Sequence, residues 1–418
     1  VTYVISALLV LLALSGTPLF IVISAAALVS FYALGVDLSV VVIEMYRLAA
    51  NPMLIALLLF AFAGYVLAES GASQRLVRLS SAVFGRMPGG LAVVTLVVCA
   101  LFTALTGASG VTIVALGGIL LPALLADSYS EKFSLGLLTS SGSLGVLFPP
   151  SLPLIIYGVV TETSIPQLFL AGLLPGLLIV LLLSLYGIYH GMHTAAHAPF
   201  SINKLYGAAR DACWEMLLPV VVFGGIFGGF LVLSEAAAIT VAYVLLVEMV
   251  IHREVKLKDM PTIVIKTVMM VGGIIIILGA SLAFNSFLID QQIPNRILEL
   301  MRTYVDNKYV FLIILNFFLL IVGCVLDIFS ALVIVVPLIV PLAASYDVNL
   351  LHLGVIFLTN LQIGYSTPPI GMNLFIASLR FDRSIIQLSI AALPFLGILL
   401  LALAIITFFP PLSLVLIK

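Results

Sequence analysis

Two proline pairs, Pro149-Pro150 and Pro368-Pro369, interrupt stretches that are otherwise apolar. A proline inside a helix has no N–H to donate, and its ring clashes with the carbonyl four residues back. The pairs therefore remove the helical partners of the Gly145 and Val146 carbonyls in the first stretch and of Gly364 and Tyr365 in the second. Hydroxyls are close in the chain: Ser140, Ser141, Ser143 and Ser151 beside the first pair, Thr359, Ser366 and Thr367 beside the second. Neutral oxygens without a dense carboxylate cluster suit a weakly bound monovalent cation such as Na+, since hard cations take oxygen ligands and unpaired carbonyls at membrane depth are costly unless occupied. The bland alternative is a pair of kinked helices whose carbonyls are satisfied by Ser, Thr and water.

Facing groups come from two short segments. TGASGVT (106–112) offers Thr106, Ser109 and Thr112 among glycines, and GCVLDIFSA (323–331) offers Asp327, which reads as the most deeply embedded acid of the chain. An ionisable residue inside a membrane is a functional candidate by default; the competing reading is a carboxylate held in a structural salt bridge. Asn373, after the second proline pair, can hydrogen-bond a polar substrate or cap a half-helix. Ser151, Asn373, Pro150 and Pro369 are the candidate substrate contacts.

These features occur in duplicate. The stretch from Thr106 to Val180 reappears without a gap from Val325 to Leu399, so that Pro122, Pro149-Pro150 and Pro175 fall on Pro341, Pro368-Pro369 and Pro394. Further back, SGASQRLVRL (70–79) matches QQIPNRILEL (291–300), with Arg75 over Arg296. Paired, interrupted hydrophobic segments at corresponding places in two halves point to a transporter whose binding site lies where the broken helices meet.

Composition fixes the medium. The chain is 63% hydrophobic and 8% charged, with a mean hydropathy of +1.33; lipid must cover that much apolar side chain. A net charge of −1 argues against nucleic acid as a partner. Cys99, Cys213 and Cys324 are far apart and read as small hydrophobes. The N-terminus, apolar from Val1 to about Gly35 and without a basic start, does not read as a signal peptide.

The expected fold is an all-α polytopic membrane protein of two inverted repeats, 1–190 and 216–418, joined by a loop at 191–215. Each repeat begins with a broken apolar segment (1–35 and 217–251), interrupted at SGTP (15–18) in one and at the glycines of 224–229 in the other. Stretch 36–50, with Asp37, Glu44 and Arg47 on one face, reads as an interfacial helix, with 252–266 as its basic counterpart. Spans follow at 52–69 and 89–105, then at 267–289 and 309–325. Segments 106–128 and 326–346 are too short for two crossings and predict re-entrant hairpins; the broken helices occupy 132–160 and 350–380. The loops at 70–88 and 291–308 carry three basic residues each, so positive-inside counting does not orient the chain. Inversion depends on whether each first broken segment crosses once.

Two catalytic alternatives are weak. GASG (107–110) matches the nucleophile motif of rhomboid-type serine proteases, but none of His190, His193, His197, His252 and His352 sits mid-span beside small residues as a base would. The trio His190, His193 and His197 lacks a carboxylate or thiol at ligand spacing for a metal. An enzyme is not expected.

With those residues in hand, the chain resembles the large membrane subunit of tripartite ATP-independent periplasmic (TRAP) transporters over essentially its whole length. TGASGVTIVALGGILLPALLADSYS and GCVLDIFSALVIVVPLIVPLA resemble that family's hairpins, and GSLGVLFPPSLPLIIYG and GYSTPPIGMNLFIAS its broken helices. The resemblance implies import of a small organic acid, such as a C4-dicarboxylate or sialic acid, across the bacterial inner membrane. It implies Na+ as the coupling ion, inverted repeats and an elevator-like moving domain. It also implies two partners, a small four-helix membrane subunit and a periplasmic substrate-binding protein. The family's Na+ sites carry over to Ser109 with Ser143 and Gly145, and to Gly323 and Asp327 with Thr359, Gly364 and Thr367; Val146 and Tyr365 join them through their freed carbonyls. Gly110 stands where serine is common in the family. A stand-alone Na+/dicarboxylate carrier acting as a homodimer is the alternative from the same physics.

Overall fold

A computed structural model describes residues 11–12, 17–49, 51–84, 87–192, 202–305, 307–417. Among them all regular structure is helical. Helices satisfy every backbone group within the segment, which is what a chain this apolar needs in lipid. Among the described residues seven helices are long and apolar enough to cross a membrane, and up to nine if each of two bent pairs is one span. The chain is a multi-pass membrane protein.

The first half contains α1 (Leu19–Ala33), α2 (Ser39–Ala49), α3 (Pro52–Glu69), α4 (Ala72–Phe84), α5 (Gly90–Thr106), α6 (Ser109–Ala126), α7 (Glu131–Ser141), a 3-10 turn (Leu144–Leu147), α8 (Leu152–Thr161) and α9 (Ile165–Gly191). After α10 (Ile202–Asp211) the second half follows with α11 (Cys213–Phe227), α12 (Leu233–Leu245, continued as a π-turn to Ile251), α13 (Met260–Asp290), α14 (Ile293–Tyr304), α15 (Lys308–Val325), α16 (Ile328–Ser345), α17 (Leu350–Gly364), α18 (Met372–Phe381), α19 (Ile385–Phe408) and α20 (Pro411–Leu414).

The sequence offset is also a structural one: α6 and α16 begin and end 219 residues apart. Packing between the halves is reciprocal. Helix α6 packs on α18, while its counterpart α16 packs on α8, the counterpart of α18. Likewise α1 lies on α13 and α3 on α12. Each half thus places its hairpin leg against the broken helix of the other.

Three expectations need correction. The hairpins do not turn in the middle of 106–128 and 326–346. Gly107 (φ +69) ends α5 and α6 then runs unbroken, so the tip is 107–108 and the first leg is the helix expected as a separate span; the second tip is Leu326-Asp327. Pro122 and Pro341 sit inside the second legs without breaking them. The interfacial helix α2 has no separate counterpart: Asn51 caps a new helix at Pro52, whereas Val271, 219 residues later, lies within the continuous α13. Segment 191–215 is not all loop, since it contains α10 and the first turn of α11. The SGTP break falls largely outside the described residues, but the other break is a turn between Phe227 and Leu233.

Candidate functional site

In the first half, Ser130 caps α7 and the helix gives way at Gly142-Ser143 to the 3-10 turn. Thr103 on α5 has one hydroxyl proton, which goes to the Gly142 carbonyl at 2.8 Å, so the Thr112 hydroxyl 2.7 Å away donates to Thr103. Both hairpin legs are thereby tied to the break. Gly145 allows a close approach: a Cβ there would lie 2.3 Å from the Ala104 nitrogen and 2.4 Å from the Ala100 carbonyl oxygen.

The second half repeats the approach at equivalent positions. A Cβ on Gly364 would lie 2.4 Å from the carbonyl carbon of Gly323, the counterpart of Ala104. The polar groups differ. Asp327 caps α16, accepting from the Phe329 and Ser330 amides at 3.0 Å each and from the Ser330 hydroxyl. The Tyr365 hydroxyl reaches the same tip and accepts from the Ile328 amide at 2.5 Å. Asp327 is half-buried and makes no ion pair among the described residues, so the salt-bridge reading does not hold there.

The two halves meet at Ser143. Its hydroxyl donates to the Gln362 carbonyl at 3.4 Å, across a sequence separation of 219. Ser143 thus touches the residue that stands at its own 219-residue offset. Asn373 joins the same point from α18, its Nδ2 donating to the Ser143 hydroxyl at 3.2 Å and to the Thr139 carbonyl at 3.3 Å. Around this centre several buried polar atoms lack a protein partner: Asn373 Oδ1, both polar atoms of the Gln362 side chain, and the hydroxyls of Ser140 and Ser366. Buried polar atoms without partners are rare in folded proteins.

The four carbonyls freed by the prolines are not bare. Gly145 accepts from the Phe148 amide at 3.0 Å, Gly364 from the Thr367 amide at 3.0 Å and Tyr365 from the Asn373 amide at 2.9 Å; Val146 accepts from the Ser151 hydroxyl at 2.5 Å. Local turns replace the lost helical bonds, and each carbonyl keeps a second lone pair. The Thr359 and Thr367 hydroxyls turn back onto their own helix, to Val355 and Ile363. Ser151 also caps α8. Pro150 is buried against α3, α11 and α12, whereas Pro369 is exposed. Ser109 begins α6, with its carbonyl 3.5 Å from where a Gly142 Cβ would stand. The structure therefore joins Ser143 to Asn373 and Gly323 to Gly364.

Gln362 and Thr103 were missed as centre residues. For Gln362 a signal existed, a polar side chain in the apolar α17 at the exact offset from Ser143. The deepest acids were missed too: Glu248 and Glu215 are buried, and Asp327 is not the most embedded. Both bind Arg75 of α4. Its Nε contacts Glu215 at 2.5 Å, Nη2 contacts Glu248 at 2.8 Å and Nη1 contacts Glu254 at 2.6 Å. Burial opposes the charge on Glu254, but its bonds to Arg75 and the Gly71 amide hold its carboxyl below the usual carboxylate range. Arg296, the repeat equivalent of Arg75, is exposed. Of the histidines, His252 lies 3.8 Å from Glu215, His352 contacts Ser413 and His190 contacts Tyr186; His193 and His197 lie outside the described residues.

This architecture is that of a known helical membrane transporter. The structure of the Alcanivorax borkumensis YdaH transporter matches with a TM-score of 0.64 over 90% of this chain and 88% of that one, at 15% identity, a likeness of fold alone. The sequence places it more narrowly: residues 5–412 match the family described as tripartite ATP-independent periplasmic transporter, DctM component, and the chain belongs to that family. The C4-dicarboxylate TRAP transporter large permease protein DctM of Pseudomonas aeruginosa is 32% identical over 90% of this chain and 88% of its own. The ectoine TRAP transporter large permease protein TeaC of Halomonas elongata is 31% identical over 99% and 98%.

Proposed function

We propose that this protein is the large membrane subunit of a Na+-coupled importer of a small organic acid in the bacterial inner membrane. The observation that carries this reading is the matched pair of close approaches, Gly145 on Ala104 and Gly364 on Gly323. At each, a hairpin tip, a helix break and neutral oxygens come together, which is the chemistry of a weakly held monovalent cation. One Na+ is assigned to Ser109, Ser143, Gly145 and Val146, and one to Gly323, Asp327, Thr359, Gly364, Tyr365 and Thr367. The substrate lies between them at Asn373, beside the unpartnered polar atoms near Ser143. Relatives named for a C4-dicarboxylate and for ectoine support a small carboxylate as cargo. A small four-helix membrane subunit and a periplasmic binding protein complete the assembly, as the family's tripartite description supports.

Transport proceeds by an elevator. The two hairpins and two broken helices move as one body against α1–α3 and α11–α13, and the repeats are inverted, so that each hairpin gates one membrane face. The unequal exposure of Pro150 and Pro369 is what one of two alternating states would present.

The test is uptake of candidate acids into proteoliposomes holding this chain, the small subunit and the cognate binding protein. Uptake should require a Na+ gradient and the binding protein. Full-rate uptake in Na+-free buffer refutes the coupling; full-rate uptake without the binding protein refutes the tripartite arrangement in favour of a stand-alone carrier.

A further inference from the structure

Away from the centre, a cavity of about 290 Å³ opens on the outer seam between α7 and α19, lined by Glu131, Lys132, Leu135, Arg383, Gln387 and Ile390, with Ala391 at its side. Its charged residues stand at the helix ends, next to the loops 127–130 and 382–384, while Leu135 and Ile390 lie further into the apolar helices. Beyond Ile390 the exposed face of α19 is fully apolar, with Leu393 and Leu401 at 60% and 55% exposure. The cleft is thus polar at its mouth and continuous with a lipid-facing surface.

The mouth carries both signs of charge in a particular arrangement. Arg383 binds Glu131 with Nε at 2.9 Å and Nη2 at 2.7 Å, and both go to the same oxygen, Oε1. Glu131 Oε2 is left as an acceptor. Among the described residues Lys132 makes no ion pair. Two cations and one half-used carboxylate match a group that holds a phosphate and an ammonium a few bonds apart. The repeat provides an internal control. At the equivalent seam of α17 and α9, Leu350, Leu351, Ser164 and Leu168 replace Glu131, Lys132, Arg383 and Gln387. The fold therefore does not require charge at this place, and only one of the two seams has acquired it.

We infer that this cleft binds a membrane phospholipid whose headgroup carries a primary amine, of the phosphatidylethanolamine type. The phosphate lies at Lys132 and Arg383, the ammonium at Glu131, and an acyl chain runs over Leu135 and Ile390. The charged contacts are charge-assisted and part-exposed, the Arg383 and Glu131 side chains being 45% and 50% exposed.

The experiment is native mass spectrometry of the purified full chain in detergent, titrated in parallel with phosphatidylethanolamine, phosphatidylcholine and phosphatidylglycerol of the same acyl composition. The native chain should retain phosphatidylethanolamine best. Lys132→Glu, which leaves the Arg383–Glu131 pair intact, should weaken its retention about fivefold, as expected for losing one charge-assisted contact at a part-exposed site. Ile390→Trp, which fills the acyl path, should weaken all three lipids alike. Both positions face outward, and unchanged unfolding temperatures in lipid-free detergent establish that the variants fold. Equal retention of the three lipids by the native chain overturns the inference. So does preference for phosphatidylglycerol, or retention that neither substitution alters.

Discussion

Replacing Arg75 by Met should be among the most damaging single changes in this chain. Arg75 is buried, and two of its three partners, Glu215 and Glu248, have side chains only 1% and 0% exposed. Removing the guanidinium leaves Glu248 without a countercharge and Glu215 with His252 alone, 3.8 Å away, where both carboxylates are buried. Breaking a buried ion pair from one side typically costs about 3–5 kcal/mol, which is roughly two to four powers of ten in the unfolding equilibrium constant. The contact to Glu254, 40% exposed, adds little, since exposed pairs contribute about 0–1 kcal/mol. The triple change Arg75→Met, Glu215→Gln, Glu248→Gln should recover most of the loss, because it removes the stranded charges as well. The single tryptophan, Trp214, precedes Glu215 and its carbonyl accepts from Tyr243 at 2.9 Å. Its fluorescence during denaturant unfolding in mixed micelles therefore reports on this region. An Arg75→Met cost below about 1 kcal/mol, or no rescue by the triple change, refutes the view that the cluster is dry and bears on stability.

Three further outcomes are expected. Glu254→Gln should lower stability above the ordinary Glu pKa of about 4.5 and have less effect below it. The folded-state carboxyl is depressed, so its contribution is present at higher pH and lost as pH falls through the folded value; unfolding midpoints against pH that run parallel for the two proteins refute this. Asp327→Asn keeps a side-chain oxygen for the Phe329 and Ser330 amides, so the helix cap survives while the charge is lost. Na+ dependence of uptake should fall far more than stability, and the reverse result assigns Asp327 a purely structural role. Gly364→Ala should destabilise by about 1–3 kcal/mol through overpacking, since all three nearest atoms are backbone of Gly323. Gly272→Ala, with nothing within 4 Å, is the control; equal unfolding midpoints for the two variants contradict the close approach.

Much of this molecule was legible because its strongest signals are local. Proline pairs break helices wherever they stand, and apolar composition alone demands lipid. The offset of 219 residues then aligns α6 with α16 to the residue. The hairpin tips were misplaced because the turn at Gly107-Ala108 has only one left-handed glycine to announce it, while Pro122, a stronger breaker in water, is tolerated inside α6. What stayed hidden is long-range. The acids that hold Arg75 lie 140, 173 and 179 residues away in the chain, and Arg296 at the repeat position has no such environment. No spacing rule reaches that far. The substitution of turn bonds for helical ones at the four freed carbonyls is likewise a matter of geometry that composition does not encode.

The reciprocal packing of α6 on α18 and α16 on α8 has a consequence for how the protein is made. The first half leaves the ribosome before the surfaces that its hairpin leg and broken helix pack against exist. The delay from Ser109 of α6 to Met372 of α18, and from Leu152 of α8 to Ile328 of α16, is roughly 10–50 s at about 5–20 residues per second. During it, α6 and α8 must wait in the membrane with lipid or an insertion factor against faces that will later be interior. A nascent chain stalled before residue 328 therefore presents a half that no internal contact can finish, and the two halves reach their native packing together.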